Sequence, residues 1–422
     1  MTDSVSPSQA VPQAETVAAR PAGLGRDFTQ LLSATLISTL GDGALVAALP
    51  LFAQSLTTNP VQISGVATAA TLPWLLLSVI GGAIADRFDR RRLMMGAQCV
   101  QAALVGAVAL IATLHLTQLW MLYVLAFGLG AAAIIFQNSS QAAVPALVHR
   151  DGLDSANGRL GAAMQVSQSF AGPPLGAALF AFAIPAPFWL NTATFVLSVL
   201  LLSRIRAKTR PERQGPRTAL FTDVKEGLKW LGSHRLPLSL TLIAGAGNFC
   251  EQMALGTLVL FAHSILHLGN RGYGVLLAAM AIGGVLGSLV APRLVQRFGG
   301  LRIAVFTQIV GPLVWLAIGL VGRTAVTVVV LFTFFSIVLS LWNVVASSTR
   351  QRVVPGELLG RVTGAGRMAA YGALPLGSLA GGFLARSYGL IAPWIVGSLL
   401  NMLVVAFAVP VLLRSWDQSR QP

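Results

Sequence analysis

Two carboxylates fall where a carboxylate is costly. Asp42 and Glu251 each sit near the middle of a long apolar run, 209 positions apart. An ionised acid in hydrocarbon costs at least about 2.5–3.5 kcal/mol, so each must face a cavity, find a partner or carry a proton. The chemistry on offer is proton exchange or recognition of a cationic solute. The competing role is structural: hydrogen bonds to helix backbone beside Gly41 and Gly43, or to Asn248 and Gln252. Asn138, Gln141, Asn248, Gln252 and Asn343 are polar side chains in apolar runs and candidates to line a solute cavity. Interhelical hydrogen bonds, worth about 0.6 kcal/mol on average, are the alternative for each. Phe136, Phe170, Phe249, Phe334 and Trp342 are candidates for apolar walls, with packing or lipid contact as the alternative.

Other chemistry is not indicated. His263 and His267 are four apart, a metal-holding spacing on a helix, but no acid or cysteine accompanies them, so no metal site is expected. Cys99 and Cys250 lie in separate apolar runs and are expected as small buried side chains with no disulfide. No nucleophile motif or phosphate loop appears, and the polar connections are too short for an ATPase domain. The chain is therefore not expected to be an enzyme or to need a cofactor.

The elements that position these residues follow from composition. Hydrophobic residues make up 55% of the 422 and charged ones 10%, against about 25% charged in soluble domains. Apolar runs of about 20 residues, enough to span a bilayer, occur near 28–55, 62–85, 93–114, 118–145, 157–183 and 187–203. Six more lie near 236–262, 272–295, 301–322, 324–348, 363–386 and 390–413. The expected fold is an all-α polytopic membrane protein of twelve transmembrane helices.

Charge supplies the orientation. The net charge of +15 is scattered in clusters between apolar runs, which argues for topology and against nucleic acid. With the N-terminus cytoplasmic, only Arg271, Arg323 and Arg386 of the 29 Lys and Arg fall outside. The positive-inside rule then places both termini in the cytoplasm. Residues 1–25, rich in Ser, Pro, Ala and Gln, read as a disordered cytoplasmic tail, and 415–422 as a second tail. Residues 204–235 form a basic linker. Within it Val224, Leu228 and Leu231 share a helical face, which predicts an amphipathic helix on the anionic leaflet.

The densest charge cluster is residues 81–92, Gly-Gly-Ala-Ile-Ala-Asp-Arg-Phe-Asp-Arg-Arg-Arg. Asp86 can pair with nearby arginines, which can also meet lipid head groups, and Gly82 permits close helix packing. A purely topogenic cluster is the alternative, but it does not require this spacing. The stretch resembles the loop 2–3 signature of the major facilitator superfamily, Gly-x-x-x-Asp-Arg-x-Gly-Arg-Arg. Gly82, Asp86, Arg87, Arg90 and Arg91 fit it, while Asp89 replaces the second glycine.

The two halves also repeat. Gln141-Ala-Ala-Val-Pro145 recurs as Gln351-Arg-Val-Val-Pro355, Ala85-Asp86-Arg87 as Ala291-Pro292-Arg293, and Pro174-Leu175-Gly176 as Pro375-Leu376-Gly377. Similar order and offset imply two homologous bundles, 26–203 and 236–414, around a central cavity. The segments after Gln141 and Gln351, with Gly41-Asp42-Gly43 and Ala48-Leu49-Pro50-Leu51, are similar to the superfamily's enterobactin-exporter and macrolide-efflux branch. Gly172-Pro173-Pro174-Leu175-Gly176 resembles the tail of its helix 5 antiporter signature, with Gln168 where a glycine would precede it. Paired prolines there also predict a kink on their own. The buried basic residue that many proton antiporters of this superfamily carry in helix 4 is absent, so any proton coupling falls to Asp42 or Glu251.

The resemblance implies a secondary transporter of a bacterial-type inner membrane that exports a small amphipathic compound, such as a drug, siderophore or metabolite. Its expected partners are that small molecule, membrane lipids and, in an antiporter, protons; it is expected to act as a monomer. An importer or lysophospholipid flippase on the same fold remains open, as does a transport-dead sensor or scaffold.

Overall fold

The computed structural model describes residues 25–149, 152–207, 209, 220–355 and 359–418, and every long regular element among them is helical. The first half comprises α1 (Arg26–Leu56), α2 (Pro60–Arg87), α3 (Arg90–Thr113), α4 (Leu119–Leu147), α5 (Leu153–Met164), a π-helical segment (Gln165–Ala171), α6 (Gly172–Phe182) and α7 (Ala186–Ser203). After α8 (Leu220–Ser233) come α9 (Arg235–Leu255), α10 (Leu258–Ser264), α11 (Asn270–Phe298), α12 (Gly300–Val321), α13 (Ala325–Val353), α14 (Leu359–Tyr371), α15 (Ala373–Tyr388) and α16 (Ala392–Gln418). These make twelve crossings in two bundles of six, with α8 additional.

Ten of the crossings are long and apolar enough to span a membrane. The other two, α5–π–α6 and α9–α10, are broken. Pro173 and Pro174 lack amide hydrogens, and the i→i+4 ladder gives way to the wider π turn just before them. The break after α9 falls at Gly256, where a Cβ would press against the Ser378 hydroxyl.

Glycines set the packing in both bundles. A Cβ on Gly172 or Gly176 of α6 would collide with the α1 backbone at Gly43 and Ala44. A Cβ on Gly377 or Gly381 of α15 would collide with the α9 backbone at Phe249 and Met253. Lipid offers no hydrophobic drive for helix association, so small residues that admit backbone contact hold such bundles together. The same contact made at corresponding places is the structural form of the sequence repeat. Outward faces carry exposed apolar side chains, among them Leu110, Phe127, Phe306, Leu313, Leu403 and Phe407, as a lipid-facing surface requires.

The halves meet along α2 with α14 and α15, and along α6 with α11. Ser378 Oγ donates to the Ser64 carbonyl at 2.9 Å, and Thr68 Oγ1 to that of Pro375 at 3.4 Å. The ring of Trp74 packs edge-on against Tyr371, and Ala177 fills the space at Gly274. These contacts lie between mid-bundle and the end bearing the 57–59 turn.

Two expectations need correction. Cys99 is exposed on the lipid-facing side of α3, and only Cys250 is buried; an apolar run does not reveal which way each helix face turns. The amphipathic helix exists as α8, but Leu231, 3% exposed, packs with Val354 and Val362. Leu231 of its apolar face therefore engages the second bundle, while Leu228 is exposed. Most of the tail 1–25 and residues 210–219 of the linker lie outside the described residues.

Candidate functional site

Asp42 is held at a three-way junction. Its neighbour Gly41 abuts Asn191 and Thr194 of α7, and Gly43 abuts the Ser167 and Gln168 carbonyls of the π segment. Asp42 is thereby brought beside the Asn191 side chain. Thr194 Oγ1 donates to Asn191 Oδ1 at 2.9 Å, while Asn191 Nδ2 is buried with no hydrogen bond. The local arrangement offers a carboxylate an unclaimed donor, and Asp42 lines neither of the two main cavities described below. Glu251 is placed differently, in the wall of a cavity within the second bundle. Its sequence neighbours do not cap it. Asn248 Nδ2 donates instead to the Ala370 carbonyl at 3.0 Å, and Gln252 faces the central space.

That central space is a cavity of about 1040 Å³ between the halves. Its walls combine Leu49, Val66, Leu258 and Met280 with Gln165, Gln168, Ser169, Gln252, Ser336, Ser340 and Asn343. Pro173 at the start of α6 also faces it. No charged side chain lines it among the described residues. The lining extends to Ser348, near the end of α13 opposite the seam. Such a wall accepts apolar surface through contact and a few polar atoms through neutral donors and acceptors.

A second cavity of about 330 Å³ lies inside the second bundle and shares Leu339, Asn343 and Ser347 with the first. Glu251, Gln308, Arg350, Arg367 and Tyr371 line it with Trp315, Phe335 and Trp342. Of these, sequence reading singled out only Glu251 and Trp342. Arg350 and Arg367 resemble orientation charges in sequence, and only the helix rotations bring them into one chamber with Glu251. Trp315 also stacks into a cluster with Phe332, Phe335 and Trp394, which stiffens the wall.

The charge cluster is partly resolved into separate tasks. The Asp86 side chain lies outside the described residues. Arg87 is exposed, and Arg90 has a buried Nε without a partner among the described residues. Arg91 Nε donates to the Leu202 carbonyl at 3.0 Å, and its Nη2 to that of Ser203, so this guanidinium caps the end of α7. Asp89 accepts from the Arg92 amide at 3.0 Å as the N-cap of α3. At the motif's glycine position this chain thus has a carboxylate that caps the next helix.

The remaining candidates are scattered. Asn138 and Gln141 of α4 lie outside both cavities, Gln141 being exposed. Phe136 is buried in packing, while Phe170 and Phe334 are exposed. His263 is bonded to the Val259 carbonyl and to Asn270, whereas His267 lies past the end of α10 with φ 52°. The two imidazoles therefore do not share a helical face.

With the geometry established, comparisons identify the lineage. A family model described as transmembrane secretion effector matches residues 24–422. The multidrug efflux pump Tap of Mycolicibacterium fortuitum is 29% identical over 412 residues, covering 93% of this chain and 97% of Tap. The MFS-type transporter YfiS of Bacillus subtilis is 28% identical over 394 residues, covering 88% and 90%. The crystal structure of the nucleoside transporter NupG superposes with a TM-score of 0.70 at 12% identity, covering 94% and 100%, a likeness of fold. The match over almost the whole length, with twelve crossings around a shared cavity, makes this chain a member of the transmembrane secretion effector family of major facilitator superfamily transporters.

Proposed function

We propose that the protein exports small amphipathic compounds across a bacterial inner membrane by alternating access. The observation that carries this reading is the central cavity of about 1040 Å³, walled from both halves by apolar side chains and uncharged polar groups. Such a wall suits compounds with an extended apolar surface and a few hydrogen-bonding atoms. Export is favoured by the similarity to Tap, named a multidrug efflux pump. The halves are taken as 26–203 and 236–414, with 204–235 a cytoplasmic linker and both termini cytoplasmic; the transporter acts as a monomer. Asp86 serves as a latch that faces the N-terminal end of the eleventh crossing when the cavity opens outward. Protons drive the cycle through Asp42, Glu251 or both.

Inverted membrane vesicles test the reading. Vesicles with the protein should accumulate a lipophilic fluorescent dye when acidified inside, and lose the gradient when the dye is added. Accumulation only in right-side-out vesicles would show an importer. No movement of any compound in a chemically broad panel, in either orientation, would show that the chain does not transport.

A further inference from the structure

The side chamber of the second bundle holds opposite charges that do not neutralise each other. Among the described residues neither the Glu251 carboxylate nor the buried Nε of Arg350 has a partner. Arg350, Arg367 and Tyr371 line this one chamber. Two guanidiniums lining one chamber favour an anion between them, and Arg is the side chain best suited to hold a planar carboxylate. Glu251 shares the chamber with Trp315, Phe335 and Trp342. A chamber that offers both a carboxylate and aromatic rings suits a cation, through charge and through the ring quadrupole.

We propose that this chamber binds a small zwitterion, its ammonium at Glu251 among the tryptophans and its carboxylate at Arg350 and Arg367. The volume of about 330 Å³ suits one such small molecule. Asn343 lines both spaces, so a molecule there sits against the central cavity. The inference rests on the transport reading only for the passage from binding to export. It deepens that reading by naming a substrate class for the side chamber, whereas the central walls alone would take uncharged compounds.

The test is equilibrium dialysis of the full-length protein in nanodiscs with three labelled probes: para-aminomethyl phenylacetate, its methyl ester and its N-acetyl derivative. The zwitterion should bind about tenfold more tightly than the ester, which lacks the anion, or the amide, which lacks the cation. E251Q should bring its affinity down to that of the N-acetyl compound, and R350Q to that of the ester. Because each result is a ratio within one variant, a misfolded variant is recognised by loss of all three. Equal affinity for the three probes in the wild type would overturn the proposal, as would an unchanged preference in both variants. Efflux of the zwitterion is measured separately; binding without efflux would support the site and count against export.

Discussion

Gly381 of α15 lies so close to Met253 of α9 that a Cβ on the glycine would overlap the Met253 carbonyl oxygen. Gly381→Val should therefore separate two helices and lower stability by about 1–3 kcal/mol. Gly247→Ala, where nothing lies within 4 Å of the new carbon, should leave the thermal midpoint of the detergent-solubilised protein unchanged. Equal midpoints for both variants would show that the contact does not hold the bundle.

Asp86 and Arg91 should fail in different ways although they belong to one cluster. Arg91→Ala removes two donors from the end of α7 and is expected to cost about 1.5–3 kcal/mol of stability. Asp86→Asn should abolish transport with little loss of folded protein. Asp89→Gly, which restores the family pattern, should cost only a few tenths of a kcal/mol. Thermal unfolding and vesicle transport, run on the same preparations, separate these outcomes. Full transport by Asp86→Asn would reduce that residue to an orientation signal.

Ser378→Ala deletes the 2.9 Å hydrogen bond that ties the halves at their closed end. At about 1 kcal/mol, its loss should shift the balance toward the opposite-facing state by about fivefold. Modification of a cysteine at Ser64 by a water-soluble maleimide should speed up accordingly. An unaltered rate would mean that the seam does not depend on this bond.

Energy coupling distinguishes the two carboxylates. If either trades protons, Asp42→Asn or Glu251→Gln should stop accumulation driven by a pH gradient while exchange at equal pH continues. If Glu251 binds a cationic group instead, both activities should fall together in that variant. A double variant that still concentrates substrate at the wild-type rate would exclude both residues from coupling.

Orientation has a direct check in a cysteine-free background. A cysteine at Ser233, exposed at the end of α8, should be shielded from an impermeant reagent in intact cells, and one at exposed Thr58 should be labelled. The reverse pattern would overturn the assignment made from the arginine bias.

Much of the architecture was legible because membrane physics writes it in plain composition. Apolar runs marked the crossings, and the glycines of Gly172-Pro-Pro-Leu-Gly176 marked the break and the close approach in one stretch. What was not legible depends on rotation. Gln141 and Asn343 look alike in sequence, yet one is turned away from both cavities and the other lines both. Arg350 was hidden by length. α13 has 29 residues, so at 1.5 Å per residue it outruns a hydrocarbon layer of about 30 Å. Its last turns look like a loop in hydropathy while remaining a rigid wall of the side chamber.

The π-helical segment bears on how this chain should be aligned with its relatives. A π turn accommodates a residue beyond what an α-helical turn would hold, so Gln165–Ala171 has the form of a one-residue insertion absorbed within the crossing. Counting backwards from Gly172 in an ungapped register then slips by one position across it. Gln168, which stands where the antiporter pattern has a glycine, has its carbonyl against Gly43 together with that of Ser167. A one-residue shift brings Ser167, buried with its carbonyl against Gly43, to the place of that glycine, so a small side chain rather than a glycine meets the close approach there.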